Sequence, residues 1–260
     1  MSRLKEAKSF KTGIFITARL KSTRLPLKVI KPILGRPMVE WMIERLKRCN
    51  IEPLVMMTST NPQDDPLVEI AGKNGITYFR GSEGDVLLRM RDCARQFDVD
   101  LVVSITADNP LVEPVFIEKM IDRYSQTQFD FCEIKGLPIG CFSYTVSRNA
   151  LEKVFEIKDS SDTEIWGPYF KESGLFKCDV IEVTDPRILR SQYRLTVDTS
   201  EDFELVNRIF EILGKEKEYF NVYDICQLLD ENEDLVKINA HIEQISAPQI
   251  ELKQRSRKGT

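Results

Sequence analysis

The 260-residue sequence is poor in the residues that most often build metal clusters and catalytic triads. It contains one histidine, His241, which leaves too few partners for a triad or for a metal site made of imidazoles. Its six cysteines are scattered and include no Cys-x-x-Cys pair, so they fit neither a zinc site nor a disulfide framework. We therefore expect reduced and mostly buried thiols.

Nucleotide-binding glycine motifs and long apolar runs are absent as well. Neither Gly-x-x-x-x-Gly-Lys-[Ser/Thr] nor Gly-x-Gly-x-x-Gly occurs in the sequence. Since these motifs are the main signatures of P-loop and dinucleotide-binding proteins, their absence argues against both classes. No apolar run approaches the roughly 20 residues of a membrane span. The N-terminal stretch MSRLKEAKSFKT lacks the apolar core of a secretory signal. We expect a cytoplasmic protein that does not cross a membrane.

Positive charge is concentrated at the start of the chain, although the whole protein has a net charge of −4. Residues 1–50 contain 13 Lys or Arg and only 3 Asp or Glu. An acidic protein argues against an extended nucleic-acid surface, which would need a basic face. A local basic cluster is better suited to a small polyphosphate ligand.

Short β-branched runs alternate with longer helical patterns, which is typical of an α/β fold with a mostly parallel sheet and helices on both faces. Strands are predicted near residues 14–18, 53–58, 76–79, 100–106, 129–133, 141–147, 179–184 and 193–197. Helices are predicted near residues 38–49, 65–74, 84–97, 114–125, 148–156, 162–171, 201–213 and 222–230. Residues 1–245 are expected to form one domain, and the polar tail 246–260 is expected to be disordered.

The stretch ARLKSTRLPLK, residues 18–28, follows the first predicted strand and has four cations and no acid. In open α/β sheets, ligands bind at the carboxyl ends of the strands. Arginine and lysine at such a place can hold phosphate oxygens. A solvated charged loop would have the same composition, so the residues alone leave both interpretations open.

Two aspartates follow other predicted strands. Asp108 comes after the strand at 100–106, and Asp198 comes after the strand at 193–197. Nucleotide-bound Mg²⁺ takes one or two protein carboxylates and completes its shell with phosphate and water. Helix capping would explain either aspartate alone, but both together with the basic loop favour a metal site. The one Asp-x-Asp pair, residues 98–100, precedes a strand, which argues against sugar transfer from a nucleotide donor.

The pattern A-R-x-x-S-T-R-L-P-x-K followed by G-R-P-M resembles the cytidylyltransferase family that activates sugar acids. This family includes the 3-deoxy-manno-octulosonate and acylneuraminate cytidylyltransferases, and the resemblance is strongest to its spore-coat polysaccharide biosynthesis branch. Residues 13 to about 242 are covered, through the further segments TSTNPQDDPLVEIA, YFRGSEGDVLLR, ITADNPLV, LTVDTSEDFELV and NEDLVKINAHI.

The resemblance implies a Rossmann-like nucleotidyltransferase (GT-A-like) fold and transfer of CMP from CTP to an acceptor, with release of pyrophosphate. The acceptor would be a sugar acid or a phosphorylated or phosphonate small molecule. Mg²⁺ would be the cofactor, held by Asp108 and Asp198, and the catalytic residues would be Arg19, Lys28 and Asp108. By position, the nucleotide-binding residues are Ala18, Arg19, Ser22, Arg24, Lys28, Thr58, Arg80, Gly81, Ser82 and Asp108.

The sequence departs from the family at the acceptor side and within the basic loop. Relatives commonly carry P-D-G-x-x-x-E-x-F before the strand at 141–147, whereas this chain reads LPIGCFSYTVS with no acid. This difference fits a more anionic acceptor, such as a phosphorylated or phosphonate compound, and it fits an ordinary buried strand equally well. Lys21 and Leu27 stand where the family usually has glycine. The expected acceptor-binding residues are Tyr144, Glu164, Trp166 and Arg194.

The resemblance also implies a homodimer formed through residues of about 130–180. Two alternatives to CMP transfer stay open. The first is an inactive nucleotide-fold subunit that serves in binding or assembly, because the altered loop and acceptor segment are also what lost chemistry would leave. The second is the same chemistry with GTP, ATP or UTP.

Overall fold

The structure is a computed structural model that describes residues 10–244 and 249–253. Its strands are β1 (Thr12–Thr17), β2 (Pro32–Ile33), β3 (Arg36–Pro37), β4 (Leu54–Ser59), β5 (Thr77–Gly81), β6 (Leu101–Thr106), β7 (Phe131–Lys135), β8 (Tyr144–Ser147) and β9 (Cys178–Glu182). Seven of them form one sheet in the order β5-β4-β1-β6-β8-β7-β9, and β2 and β3 form a separate hairpin.

Most of the sheet is parallel. Strands β5, β4, β1 and β6 pair in parallel, as do β7 and β9, whereas β8 runs antiparallel to both of its neighbours. From β1 the chain first builds the sheet outward through β4 and β5, and then returns to add β6 on the other side. The carboxyl ends of β1 and β6 therefore form a topological switch point, which is the usual ligand site of such sheets.

The helices connect the strands and follow the chain afterwards. They are α1 (Met38–Lys47), α2 (Asp65–Lys73), α3 (Val86–Gln96), α4 (Pro114–Thr127), α5 (Arg148–Ile157), α6 (Gly167–Lys171), α7 (Ser200–Glu216), α8 (Val222–Glu231) and α9 (Glu233–Lys237). Short 3-10 turns cover Lys28–Ile30 and Pro62–Asp64. Side-chain caps explain several helix starts: Asp85 accepts a hydrogen bond from the Leu88 backbone at the start of α3, and Thr199 caps α7.

Apolar cores cover both faces of the sheet. In β1, Ile14 and Ile16 belong to a core with α1, α4, α7 and α8, whereas Phe15 belongs to a second core with α3, α5 and α6. Strands buried on both faces read as continuous apolar runs, because alternate side chains enter opposite cores. The α/β fold, the mostly parallel sheet and the helices on both faces are thus confirmed.

Two expected elements differ. Residues 193–197 form no strand: this extended segment makes one isolated bridge, between Arg194 and Ile139. The helix expected at 162–171 begins only at Gly167, because Thr163 is drawn away to hydrogen-bond with the start of α3. The hairpin β2–β3 and the helix α9 were not expected.

The C-terminal tail is partly ordered against α5. Residues 249–253 are described, and Leu252 bridges to Lys158, whereas the sequence predicted disorder there. The other residues of the predicted tail, 246–248 and 254–260, lie outside the described residues. All six cysteines are free and five are buried, as expected, with Cys178 exposed. No helix in the described part of the chain has the length and apolarity to cross a bilayer.

Candidate active site

The basic loop leaves the sheet beside the segment that carries Asp108. The Ala18 backbone donates to the carbonyl of Met57 at 3.1 Å, and the Ala107 backbone donates to the carbonyl of Thr17 at 2.9 Å. These bonds extend the parallel pairing just past the ends of β1, β4 and β6. They place the start of the loop, residues 18–28, and the segment 107–109 side by side at the switch point.

Asp198 reaches the same place through the extended segment 193–197. The Val197 backbone donates to the Asp108 carbonyl at 2.8 Å, so the residues that precede and follow Val197 lie beside the end of β6. Gly140 permits this approach: its φ is +98°, and a Cβ there would lie 2.4 Å from the backbone nitrogen of Thr196. Two aspartates that are 90 residues apart thereby become neighbours.

Lys28 lies between the two carboxylates. Its Nζ donates to Asp108 Oδ2 at 2.9 Å and to Asp198 Oδ1 at 2.8 Å. Burial alone would lower the pKa of Lys28, but the two aspartates raise it above its ordinary value. Burial alone would raise the pKa of Asp198, but Lys28, Arg24 and Arg194 lower it. Lys28 and Asp198 are therefore both charged at neutral pH.

Two arginine side chains also contact the carboxylate of Asp198. Arg24 approaches its Oδ1 at 3.1 Å, and Arg194 donates to its Oδ2 at 2.7 Å. Arg194 is buried and also binds both oxygens of Asp202, which in turn accepts a hydrogen bond from Asn239. The expected acceptor residue Arg194 is thus placed where its side chain orients Asp198.

Arg19 connects the basic loop to two neighbouring segments. Its Nη1 donates to the Glu83 carbonyl at 2.7 Å, and its Nη2 pairs with the Glu164 carboxylate. Lys21 lies 3.4 Å from the Glu83 carboxylate. Every cation of the loop therefore has a carboxylate partner.

Lys21 and Leu27, the two positions where the family resemblance leads us to expect glycine, differ in backbone conformation. Leu27 adopts φ +56° at the start of the 3-10 turn, a left-handed conformation that favours glycine. Lys21 is not among the residues with positive φ, so nothing in its backbone requires glycine. Ser22 accepts a hydrogen bond from the Leu25 backbone at 3.4 Å. The loop keeps its turn without either glycine.

Two of the residues expected near the nucleobase, Arg80 and Thr58, are enclosed by other parts of the protein. The Arg80 guanidinium is occupied by the segment after β4, where it binds the carbonyls of Ser59 and Asn61 and the carboxylate of Asp65. Thr58 is fully buried on the face of β4 that carries Met56. Arg80 is thus engaged by its own neighbours and Thr58 is enclosed in the core, and their contact with a nucleobase stays a prediction.

Gly81 and Ser82 form an accessible turn between β5 and α3. Ser82 Oγ accepts a hydrogen bond from the Asp85 backbone at 3.2 Å. A Cβ at Gly81 would lie 2.9 Å from the Phe79 ring and 3.1 Å from Arg89 Cγ, so only glycine fits there without a shift. The turn is half-exposed and adjoins Arg19 through the Glu83 carbonyl.

Among the expected acceptor residues, Tyr144 lies at the start of β8, opposite Ser104 of β6. Burial, followed by Glu133, raises the pKa of Tyr144 to about 12, so its phenol stays protonated. Trp166 is only 5% exposed and packs edge-on against the rings of Tyr144 and Phe131. Trp166 therefore supports the site from the core.

Glu164 belongs to a loop, residues 158–166, that is fastened to the start of α3. Lys158 and Asp85 form a buried ion pair at 2.5 Å, and Thr163 Oγ1 donates to the same carboxylate at 2.8 Å. The Thr163 backbone donates to the Gly84 carbonyl at 3.3 Å. This network was not anticipated, because its partners are more than 70 residues apart.

The paired aspartates fit a divalent cation. Asp108 Oδ2 and Asp198 Oδ1 already share one cationic group, and Asp108 Oδ1 is buried and accepts no hydrogen bond from the described residues. Within residues 10–244 and 249–253, no three His, Cys, Asp or Glu side chains gather into a complete metal site. Two carboxylates suffice for an ion that arrives with phosphate ligands.

Asp202 is a further residue that sequence reasoning missed. Its carboxylate accepts hydrogen bonds from the backbones of Asp198 and Thr199 and completes a capping box with Thr199. The pattern Thr-x-x-Asp before an apolar helix was the available signal. Asp202 fixes the backbone that presents Asp198.

Comparison with known proteins identifies the family. The cytidylyltransferase family model matches residues 14–244. An uncharacterized protein of Methanocaldococcus jannaschii is 31% identical over 242 residues, which covers 91% of this chain and 97% of that protein. The spore coat polysaccharide biosynthesis protein SpsF of Bacillus subtilis is 28% identical and covers 84% and 94%. A cytidylyltransferase structure from Leptospira borgpetersenii superposes with a TM-score of 0.79 at 28% identity, covering 92% and 100%. Since the family model spans most of the chain, the protein belongs to the cytidylyltransferase family of nucleotidyltransferases.

Proposed function

We propose that this enzyme transfers CMP from CTP to a sugar acid, or to a phosphorylated or phosphonate small molecule, and releases pyrophosphate for cell-surface glycan biosynthesis. The observation that carries the proposal is the convergence of Lys28, Asp108 and Asp198 at the switch point. A cation-binding carboxylate pair beside a basic loop is what a metal-bound triphosphate requires.

In the proposed reaction, an acceptor oxygen attacks the α-phosphorus and forms a new P–O bond. The bond from the α-phosphorus to the bridging oxygen breaks, and pyrophosphate leaves with that electron pair. Arg19, Arg24 and Lys28 hold the triphosphate oxygens and balance the charge that develops on the leaving group. A carboxylate or phosphate acceptor is already ionised, so no histidine or cysteine has to remove a proton.

Mg²⁺ would be held by Asp108 and Asp198, and it supplies positive charge to the phosphates when bound. Lys28, which lies between these carboxylates, would supply a further positive charge to the triphosphate. Arg194 and Asp202 keep Asp198 in place throughout. The chain's own contribution is therefore positioning and charge neutralisation, which account for most of the catalysis of such transfers.

On the acceptor side, the Tyr144 phenol is a hydrogen-bond donor at neutral pH and lies on the strand next to β6. Glu164 is 55% exposed and can leave Arg19 when the triphosphate arrives. The proposal gives this pair of residues the contact with the acceptor, and it assigns Trp166 and Arg194 supporting roles. A homodimer formed through residues 130–180 and a cytoplasmic location stay predictions.

A pyrophosphate-release assay tests the proposal directly. CTP, UTP, ATP and GTP are each combined with sugar acids, phosphosugars and phosphonates in the presence of Mg²⁺. We expect turnover with CTP and its loss in Asp108→Asn, whereas Asp92→Asn on the exposed face of α3 is the matched control. Absence of turnover with every pair would refute the proposal in favour of an inactive binding subunit. Preference for another nucleotide would refute the assignment of CTP.

A further inference from the structure

Asp64, at the end of the 3-10 turn Pro62–Asp64, is a buried carboxylate that the proposed mechanism does not use. It is only 2% exposed. Its Oδ1 accepts a hydrogen bond from the Leu20 backbone at 2.7 Å, and its Oδ2 accepts one from Ser59 Oγ at 2.5 Å. Leu20 belongs to the basic loop, 44 residues earlier in the chain. The carboxylate therefore contacts the backbone of that loop directly.

This contact stands where the ladder between β1 and β4 would otherwise continue. The Ala18 backbone donates to the Met57 carbonyl at 3.1 Å, in register with the two strands. Such bonds are evenly spaced in a parallel ladder and recur every two residues, so the next bond would join the Leu20 N–H to the Ser59 carbonyl. The Leu20 N–H donates to Asp64 instead. The ladder thus ends on a side chain, and the position of that side chain sets the direction in which the basic loop leaves the sheet.

Arg80 occupies the carbonyl that Leu20 would otherwise use. Its Nε donates to the Ser59 carbonyl at 2.8 Å, and its Nη2 donates to the Asn61 carbonyl at 2.8 Å. The Asp64 backbone donates to the same Asn61 carbonyl at 2.9 Å. These bonds close the turn of residues 59–64 and hold the Asp64 side chain beside the end of β4.

Two fixed peptide groups enclose Arg19, the first cation of the basic loop. The bond from Ala18 holds the peptide that precedes residue 18, and Asp64 holds the peptide that joins Arg19 to Leu20. Leu20 is itself only 3% exposed and belongs to the core, which further restricts the backbone. The direction of the Arg19 side chain therefore depends on the Asp64 carboxylate.

The charge of Asp64 has a separate effect from its hydrogen bonds. Burial, followed by Arg19, lowers the pKa of the buried Arg89 to about 10, and Asp64 is the strongest of the carboxylates that oppose this shift. A carboxylate near Arg89 stabilises the fold, because a buried cation needs a nearby opposite charge. The same carboxylate is an unfavourable neighbour for an anionic ligand. Charge alone therefore gives no reason for an aspartate beside a loop that binds phosphate.

We propose that Asp64 is a positioning residue for the triphosphate, because it holds the Leu20 N–H and thereby directs Arg19 toward the phosphates. This inference rests on the proposed function, in which the basic loop binds the triphosphate. Removal of the Asp64 carboxylate should weaken the binding of nucleotide, whereas the loss of a negative charge by itself would strengthen it. The sign of the effect separates positioning from electrostatics.

Calorimetric titration with CTP and Mg²⁺, without an acceptor, tests this inference, and inorganic tripolyphosphate serves as a second probe that has no base. Asp64→Ala removes both hydrogen bonds. Asp64→Asn keeps an oxygen that can accept from Leu20 and adds an amide that can donate to Ser59 Oγ. Glu69→Ala removes a carboxylate from the exposed face of α2 and is the matched control. The thermal unfolding midpoint of each variant is measured in parallel.

We expect Asp64→Ala to weaken the binding of both probes by about tenfold, the usual value of one misplaced hydrogen bond to a charged group. Asp64→Asn should stay within about threefold of the wild type although its unfolding midpoint falls, because it keeps the geometry and loses the charge. Glu69→Ala should leave both affinities unchanged. In an Arg19→Met background, Asp64→Ala should cause no further loss, because its effect passes through Arg19.

Ser59→Ala decides the matter if Asp64→Ala does not fold. This milder variant leaves the carboxylate in place and removes the hydroxyl that orients it. We expect it to weaken the binding of both probes by about threefold.

Four results would overturn the inference. The first is unchanged or tighter binding of both probes in folded Asp64→Ala, or in Ser59→Ala where Asp64→Ala does not fold. The second is an equal loss in Asp64→Asn and Asp64→Ala, which would assign the effect to charge, and the third is a full further loss in the Arg19→Met background. The fourth is a wild type that binds neither probe. Failure of the proposed reaction is a separate result: a wild type that binds CTP through Arg19 but releases no pyrophosphate refutes the transfer and leaves the role of Asp64 intact.

Discussion

Replacing Lys28 by methionine should have opposite effects on metal binding and on turnover. The ammonium of Lys28 lies between Asp108 and Asp198, with contacts of 2.9 and 2.8 Å. A divalent cation that enters without nucleotide has to displace it. Methionine has a similar length but no charge, so the Lys28→Met protein offers the two carboxylates directly to the metal.

The size of the effect follows from these contacts. Two unit charges 4 Å apart attract by about 4 kcal/mol at the effective dielectric constant near a protein surface. After desolvation, a hydrogen bond between charged groups keeps about 1.5–3 kcal/mol. This free energy opposes metal entry in the wild type. Its removal should tighten the binding of Mn²⁺, used as the probe, by about tenfold to a hundredfold.

Titration of Mn²⁺ by electron paramagnetic resonance, in the absence of nucleotide, measures the affinity directly. Turnover with CTP should fall by about a hundredfold or more, because a cation that stabilises the leaving group is lost. Lys31→Met removes the same charge three residues away and should change neither quantity. An unchanged Mn²⁺ affinity in folded Lys28→Met would refute the idea that the lysine holds the metal position.

Three further predictions concern stability. Lys158→Met leaves Asp85 buried without its cation, so thermal unfolding should show a loss of about 3–5 kcal/mol, and the double variant with Asp85→Asn should lose less than the sum of the two single losses. Gly140→Ala should be poorly folded by circular dichroism because its Cβ would lie 2.4 Å from a backbone nitrogen, whereas Gly35→Ala, which has positive φ but open space, should lose only about 1 kcal/mol. The lowered pKa of Asp198 means that its ion pairs stabilise the fold above the ordinary carboxyl pKa of about 3.9 and lose this effect as the pH falls further. The free energy of unfolding, measured with urea as the pH falls from about 4 toward 2, should therefore decrease more in the wild type than in Asp198→Asn, and equal slopes would contradict the assignment.

The sequence allowed the neighbours at the switch point to be predicted, because parallel strands deliver their carboxyl ends to one edge. The basic loop that ends at Lys28 and the segment that carries Asp108 follow two such strands. Asp198 reached the same edge although residues 193–197 form no strand. The apolar alternation of YRLTV is the same in a strand and in an extended segment that packs against another backbone, so the pattern could not distinguish them.

The sequence pattern could not predict which side chains that are distant in sequence contact each other. Arg194 is a cation within a strand-like run, which is equally typical of a ligand contact and of a buried support for Asp198. The structure assigns it to Asp198 and Asp202. The ion pair of Asp85 and Lys158 likewise depends on the fold, since both residues are plausible surface charges in the sequence.

The carboxylates that pair with the basic loop differ in exposure, and this difference separates their roles. Glu164 and Glu83 have side chains that are 55% and 37% exposed, so an arriving triphosphate can displace them into water at little cost. Asp108 and Asp198 are only 21% and 16% exposed. Arg24 and Arg194 hold Asp198, and the backbone of Asp108 is held by the Val197 N–H, so neither carboxylate can move into water as easily as the two glutamates. A triphosphate drawing Lys28 away would place its own negative charge beside two immobile carboxylates. The site can therefore accept the nucleotide only together with a cation that replaces the lysine between them, and metal and triphosphate should bind as one unit.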